Sequence, residues 1–190
     1  MIAPGFRDPV LGAQSAFRAV MDAMSRPGRV MTLRDLPDAP APLPPAMAAV
    51  ALALCDAETP LWHDAGDAAR AWLDFHLGVP MVQQGRAAFV LACGTLPDLS
   101  ALASGSDEAP QDGATLLLRV DGLLEGGAGW RMEGPGIRDE ARLTVGGLPA
   151  GFVAARAALA PMLPRGIDIV LCCGASLAAI PRSTRIREDG

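Results

Sequence analysis

Two short stretches carry the groups best suited to meet a negative charge. Near the end of the chain, Pro181-Arg182-Ser183-Thr184-Arg185-Ile186-Arg187 places three arginines beside two hydroxyls. A guanidinium offers parallel N–H donors to a carboxylate, phosphate or phosphonate, so Arg182, Thr184 and Arg185 are candidate anion- or partner-binding residues. The alternative is a basic C-terminal tail in water, where an isolated arginine contributes little. Further upstream, Gly134-Pro135-Gly136-Ile137 is a glycine-rich turn. Gly134 and Gly136 tolerate the positive φ with which successive backbone N–H groups cradle an anion. The turn lacks GxGxxG spacing, and an ordinary strand-ending turn is the plainer reading of the same residues. Ser104-Gly105-Ser106-Asp107 shares that ambiguity, and no GxSxG elbow makes either serine a nucleophile.

The remaining reactive residue types point away from catalysis. His63 and His76 are 13 positions apart, and a metal would need both brought to a carboxylate such as Asp64 or Asp67. Their spacing matches neither HExxH nor a facial triad, so no metal site is expected. Cys55, Cys93, Cys172 and Cys173 form no CxxC pair and lie in apolar stretches, which reads as reduced core thiols. On a strand, Cys172 and Cys173 point to opposite faces and cannot bond without strain. All 16 basic residues are arginine. Without lysine the chain can form no internal Schiff base with pyridoxal phosphate and supplies no Walker A lysine.

With 190 residues, the chain is long enough for one domain with its own core, and residues 1–190 are read as a single unit. Just over half of the residues are apolar and 19% are charged, an excess suited to covering partner surfaces. The net charge of -5, the absence of tyrosine and the low aromatic content argue against nucleic acid as a partner. The longest apolar run, Ala46 to Cys55, is about half a membrane span, and the N-terminus lacks a basic residue followed by an apolar core. The expectation is a cytoplasmic protein outside the membrane.

The periodicities supply the scaffold. A helix is expected from Pro9 to Met24, capped by Asp8, with Val10, Ala13, Phe17, Val20, Met21 and Met24 inward. A strand is expected over Arg29 to Leu36, then a proline-rich surface loop from Pro37 to Pro45. A buried helix follows from Ala46 to Cys55, a short strand over Pro60 to Trp62, and a helix from Asp67 to Leu77 with Trp72, Phe75 and Ala68 inward. Ala87 to Cys93 and Ala114 to Val120 read as strands covered on both faces. Trp130 to Glu133 is a weaker strand, Leu148 to Pro161 an interrupted helix, and Ile167 to Cys173 a strand turning at Gly174-Ala175 into Leu177 to Ile180. The fold class is α/β, a mixed sheet with helices packed on it.

The opening block, Gly5-Phe6-Arg7-Asp8-Pro9-Val10 through Ala13-Gln14-Ser15-Ala16-Phe17-Arg18 to Ala23-Met24-Ser25-Arg26-Pro27-Gly28, resembles the start of PhnH proteins of the bacterial carbon-phosphorus lyase system. Asp112-Gly113-Ala114-Thr115-Leu116 and the Gly134-Pro135-Gly136-Ile137 turn follow in the family's order. Gly166-Ile167-Asp168-Ile169-Val170-Leu171, Cys173-Gly174 and Ala179-Ile180-Pro181-Arg182-Ser183-Thr184 look like the closing block, which usually reads PRTT. Ser183 keeps the hydroxyl. Pro37 to Pro45 and His63 to Arg70 look divergent.

The resemblance implies a fold similar to the large domain of pyridoxal-phosphate-dependent transferases, without that or any other cofactor. It implies a homodimer that assembles with PhnG, PhnI and PhnJ. With PhnG, PhnI and PhnL, such proteins take part in displacing adenine from ATP by a phosphonate, giving ribose 1-phosphonate 5-triphosphate, which PhnJ then cleaves. PhnI carries the nucleosidase-like chemistry in that scheme, so this chain is expected to be an accessory subunit with no catalytic residue of its own. The alternative is a stand-alone phosphonate- or nucleotide-binding protein, or an enzyme using the transferase-like cleft, with Arg182, Arg185 and the Gly134 to Gly136 turn in the site.

Overall fold

The computed structural model describes residues 2–188. In chain order the elements are α1 (Pro9–Ser25), β1 (Met31–Thr32), α2 (Pro45–Leu54), β2 (Leu61–His63), α3 (Gly66–Leu77), β3 (Phe89–Ala92) and β4 (Thr115–Arg119). There follow β5 (Gly122–Glu133), β6 (Ala141–Gly146), α4 (Phe152–Ala157), β7 (Asp168–Cys173), β8 (Ser176–Ile180) and β9 (Arg185–Glu188). Six strands form a mixed sheet in the order β1-β8-β7-β4-β3-β2, and the other three an antiparallel sheet in the order β6-β5-β9. Within the larger sheet β2, β3, β4 and β7 are parallel, and β8 turns back antiparallel on β7. The expected mixed α/β class and C-terminal hairpin are therefore present. No helix among the described residues is long and apolar enough to cross a membrane.

Strand alternation divides the core between the two faces of the six-stranded sheet. Leu91, Leu117, Val170 and Cys172 join one apolar cluster with α1, α2 and α3. Val90, Leu116, Ile169 and Leu171 join the other, with α4 and the smaller sheet. Coverage on both sides is why β3, β4 and β7 read as unbroken apolar runs. Cys172 and Cys173 do part to opposite faces, and all four thiols are free.

The α1 helix starts where expected, because Asp8 Oδ1 accepts hydrogen bonds from the Val10 and Leu11 amides, each at 3.0 Å, with Pro9 at the first helical position. Its buried face is different. Gly12, Ala16, Val20 and Ala23 point inward, Ala13 and Met24 are half-buried, and Val10, Phe17 and Met21 stand 65%, 46% and 55% exposed. Small side chains win because α1 lies against α2, itself buried through Ala46 to Ala51. The closeness is sharpest at Gly12, where a Cβ would meet the Phe6 ring.

Other expectations also shift. The strand over Arg29 to Leu36 reduces to β1, because its partner β8 begins at Ser176 opposite Thr32 and the last bond beyond it is Leu33 N–H to the Ala175 carbonyl at 2.9 Å. The proline-rich segment is no mere surface excursion, since Pro37, Leu43 and Pro44 are buried. In α3, Trp72 faces inward with Ala69 and Leu73, while Phe75 and Ala68 are exposed. The helix expected from Leu148 shortens to α4, because Gly151 at φ 90° breaks helical geometry immediately before Phe152. The strand at Trp130 is the end of the longer β5, bulged between Glu125 and Trp130.

Replacing the cap by Asp8→Ala leaves two N-terminal amides of α1 without their acceptor. A loss of about 1 kcal/mol is expected in urea unfolding, with the folded-state circular dichroism unchanged.

Candidate functional site

Arg182 stands immediately after β8, where the chain leaves the larger sheet for the smaller one. Its side chain meets Asp168 at the start of β7, with Nη2 to Oδ2 at 2.6 Å and Nε to Oδ2 at 3.2 Å, while its backbone amide donates to Oδ1 at 2.7 Å. Nη1 donates to the Pro110 carbonyl. The two side chains are 17% and 18% exposed, so this is a largely enclosed ion pair. Gly113 lies beneath it, and a Cβ there would collide with the Gly166 carbonyl and approach Arg182 Nη1. Arg182, expected to face an anion, is thus already neutralised by its own chain.

The unengaged cation is one that the sequence reading missed. Arg156 is 4% exposed on the inner face of α4, and its hydrogen bonds are both made by Nη2, to the Pro181 and Arg182 carbonyls at 3.0 and 2.7 Å. Its Nε is buried without a partner, and among the described residues no carboxylate forms an ion pair with it. Burial, the largest effect, holds its pKa below the usual arginine value, and the Asp168 charge opposes that shift. The signal was present in the sequence: Phe152, Arg156 and Leu159 fall at helical steps of four and three, and all are buried.

Arg156 lines a cavity of about 560 Å³ between α4 and β9. Thr184, 3% exposed, lines it too, and its Oγ1 is buried without a hydrogen-bond partner. Arg182, Ser183, Arg185 and Arg187 complete the polar lining, with Arg185 and Arg187 themselves exposed on β9. Val153, Ala157 and Leu163 belong to its apolar wall, and among the described residues no carboxylate lines it. Arg185 to Arg187 is therefore a strand paired with β5, not a free tail.

The Gly134-Pro135-Gly136-Ile137 stretch is a strand-ending turn closed by Ile137 N–H to the Gly134 carbonyl at 3.1 Å. Proline at its second position and Gly136 at φ 83° at its third give a type II turn. Side chains are excluded there because Gly136 abuts the Ser25 carbonyl and Gly134 lies against Ser183 and Thr184. The turn joins the opening block to the closing one, and only Pro135 reaches the α4–β9 cavity. Gly136 instead borders a second cleft of about 420 Å³ with Arg26, Arg29, Arg142, Glu125 and Glu140. Opposite charges pair there, Arg29 with Glu125 at 3.1 Å and Arg142 with Glu140 at 2.9 Å.

At the carboxyl ends of the parallel strands, the usual place for ligands in open α/β sheets, the backbone donors are already taken. The Asp64 carboxylate accepts from the amides of Cys93, Gly94 and Thr95 at 2.5, 3.0 and 3.0 Å. The cavity beside them is only about 50 Å³. His63 Nδ1 accepts from the Ala65 amide at 3.2 Å, and burial, then the Arg70 charge, lower its pKa. His76 Nε2 donates to the Ala3 carbonyl at 3.0 Å, beside the Trp72 indole N–H on the same acceptor. Among the described residues no three histidine, cysteine or acidic side chains are grouped to hold a metal. Ser106 Oγ accepts from the Ala109 amide at 3.0 Å within a loop turn.

Compared with known proteins, residues 4–187 match the family model described as bacterial phosphonate metabolism protein, PhnH. The chain belongs to the PhnH family. One PhnH relative, from Rhizobium meliloti (strain 1021), is named alpha-D-ribose 1-methylphosphonate 5-triphosphate synthase subunit PhnH. It is 37% identical over 190 residues, covering 97% of this chain and 94% of the relative. Another, from Stutzerimonas stutzeri, is named putative C-P lyase subunit protein HtxG and is 35% identical over 177 residues, covering 93% and 87%. The stretches that carry the PhnH resemblance are brought together by the fold: Gly113 and Gly166 under Arg182, and Ser25 against Gly136.

Two measurements probe this geometry. Asp168→Ala strands the enclosed Arg182 cation and is expected to cost about 3 kcal/mol in chemical unfolding, whereas Asp168→Leu with Arg182→Met recovers most of the loss. Burial pushes the Cys55 and Cys93 thiols up to about 12 and raises Cys172 as well. Iodoacetamide at neutral pH, read by peptide mass spectrometry on the native protein, is expected to spare these three and to modify the half-buried Cys173 first.

Proposed function

We propose that this chain is an accessory subunit of the phosphonate-catabolising carbon-phosphorus lyase system. In this reading it helps to form a ribose 1-phosphonate 5-triphosphate from ATP and a phosphonate, with release of adenine. The observation that carries the reading is the family match over residues 4–187, joined by a relative of equal extent named as a subunit of that synthase. The whole chain acts as one unit, a cofactor-free counterpart of the transferase large domain, and the parallel strands flanked by helices agree with that.

The chain works in company, as a homodimer in the cytoplasm that joins PhnG, PhnI and PhnJ. Val10, Leu11, Phe17 and Met21 support this, because four large apolar side chains exposed along one short helix are suited to burial by another chain. The α4–β9 cavity favours a second reading, a stand-alone phosphonate- or nucleotide-binding protein, since it sets several arginines beside an apolar wall with no carboxylate among the described lining residues.

Deletion of the gene is expected to abolish growth on methylphosphonate as sole phosphorus source while leaving growth on phosphate intact, with restoration from a plasmid copy. Unimpaired growth of the deletion strain would reject the subunit reading. Native mass spectrometry of the tagged protein, purified gently from phosphate-starved cells, is expected to show stoichiometric companion subunits. Recovery of the chain without any partner would favour the stand-alone reading.

A further inference from the structure

We propose that the cavity between α4 and β9 is an oxyanion-binding site for a small organophosphorus compound, with Arg156 and Thr184 as its inner donors. Arg185 and Arg187 neutralise the ligand at the mouth, and Val153, Ala157 and Leu163 face its organic substituent. The choice of a phosphonate as ligand rests on the phosphonate-pathway reading above; the choice of an anion rests on the cavity.

Three observations converge. First, Arg156 is an enclosed cation with no carboxylate paired to it, and its only hydrogen bonds leave through Nη2. Asp168 acts on Arg156 only at a distance, since its carboxylate is paired with Arg182, and a buried charge without an ion pair of its own is unfavourable, so such a group is retained where something else supplies the counter-charge. Arg182, its immediate neighbour, shows the alternative arrangement: Asp168 compensates it fully. Secondly, Arg156 Nε and Thr184 Oγ1 are buried polar atoms without partners, and both residues line the same cavity. Buried polar groups in native proteins nearly always find a partner, protein or water, so two spare donors in residues that line one cavity favour an occupant with acceptor oxygens over an apolar one. Thirdly, among the described residues the lining contains four arginines and two hydroxyls but no acidic residue, whereas in the cleft near Gly136 the carboxylates of Glu125 and Glu140 pair with Arg29 and Arg142.

A tetrahedral oxyanion satisfies these demands. Its oxygens accept from the guanidinium edge and from the hydroxyl, and its charge offsets Arg156. The volume, about 560 Å³, lies within the range of small-molecule sites and exceeds what a bare phosphate would fill. The apolar wall accounts for the remainder, which points to an anion carrying a carbon substituent. A phosphonate and the phosphate of a nucleotide share this chemistry.

The test uses the purified full chain with methylphosphonate, inorganic phosphate and ATP as separate probes, followed by phosphorus-31 NMR line broadening and calorimetry. Wild type is expected to bind methylphosphonate more tightly than phosphate. Arg185→Ala and the cavity-filling Ala157→Trp each weaken binding, and Arg156→Gln weakens it roughly 10- to 100-fold, as loss of charge-assisted hydrogen bonds does. Arg29→Ala, in the cleft near Gly136 where Glu125 pairs with it, leaves it unchanged. Ala157 and Arg185 are exposed, so those variants report on the site even if Arg156→Gln folds poorly.

Tighter binding of ATP, lost in the same variants, would support the oxyanion site and assign it to a nucleotide phosphate. Equal binding of phosphate and methylphosphonate would overturn the role of the apolar wall. Failure of wild type to bind any probe at millimolar concentration, or retention of full affinity by both Arg185→Ala and Ala157→Trp, would overturn the site. Growth separates this from the subunit reading. A gene essential for growth on methylphosphonate whose product binds none of the probes removes the site alone. A dispensable gene whose product binds through these residues removes the subunit role alone.

Discussion

The Asp168 carboxylate holds the Arg182 guanidinium and the Arg182 backbone amide together, at the point where the chain passes from one sheet to the other. Asp168 opens β7, the strand between β4 and β8, so the contact anchors the crossing to the middle of the larger sheet. The carbonyls of Pro181 and Arg182 then face Arg156, and Thr184 closes the turn through its amide to Pro181 at 2.9 Å. The path of β9, and with it one wall of the α4–β9 cavity, follows from this anchoring. An enclosed ion pair is an expensive way to gain stability, because desolvation consumes much of the Coulomb attraction. Its value here is geometric: a planar guanidinium against a carboxylate, with a backbone amide on the same acceptor, admits little variation in where the chain goes next.

Two guanidiniums side by side therefore have different roles. Arg182 is paired within the fold, its guanidinium donating to a carboxylate and a carbonyl. Arg156 receives only carbonyl dipoles and retains its charge deficit beside open volume. The distinction separates an arginine that shapes a site from one that has binding capacity left over. The same contrast holds among the backbone donors. The three amides after β3 would make an anion cradle at the expected edge of a parallel sheet, but Asp64 already occupies them. The polar atoms without partners lie instead in Arg156 and Thr184, which line the α4–β9 cavity.

The α1 helix shows how close packing decides which apolar residues remain outside. Gly12, Ala16 and Ala23 allow it to lie tight on α2, and a helix seated on small residues must turn its larger ones away. The apolar surplus that distinguishes the composition is thus partly displayed on the surface. Such a display is unfavourable for an isolated chain and advantageous in an assembly, which is consistent with relatives named as subunits.

Much of the architecture was legible from local rules. The Asp8 cap, the apolar runs of β3, β4 and β7, and the Gly174 hairpin are all set by neighbours within a few residues. Family membership was legible too, in stretches spread from Gly5 to Thr184. What escaped depends on partners distant in the chain. Only the pairing of β9 with β5 makes a strand of what resembles a basic tail, and only the nearness of α2 selects the inner face of α1. Residue type and spacing nominated Arg182, with Thr184 and Arg185, as candidates to meet an anion or a partner, because their chemistry is suitable. Only the tertiary structure supplies the partners: Asp168 is 14 positions away in sequence yet paired with Arg182, whereas Arg156, 26 positions from Arg182, reaches the same turn with no ion pair of its own among the described residues. Local sequence specifies which groups can bind an anion, and only the fold determines which of them remain unneutralised.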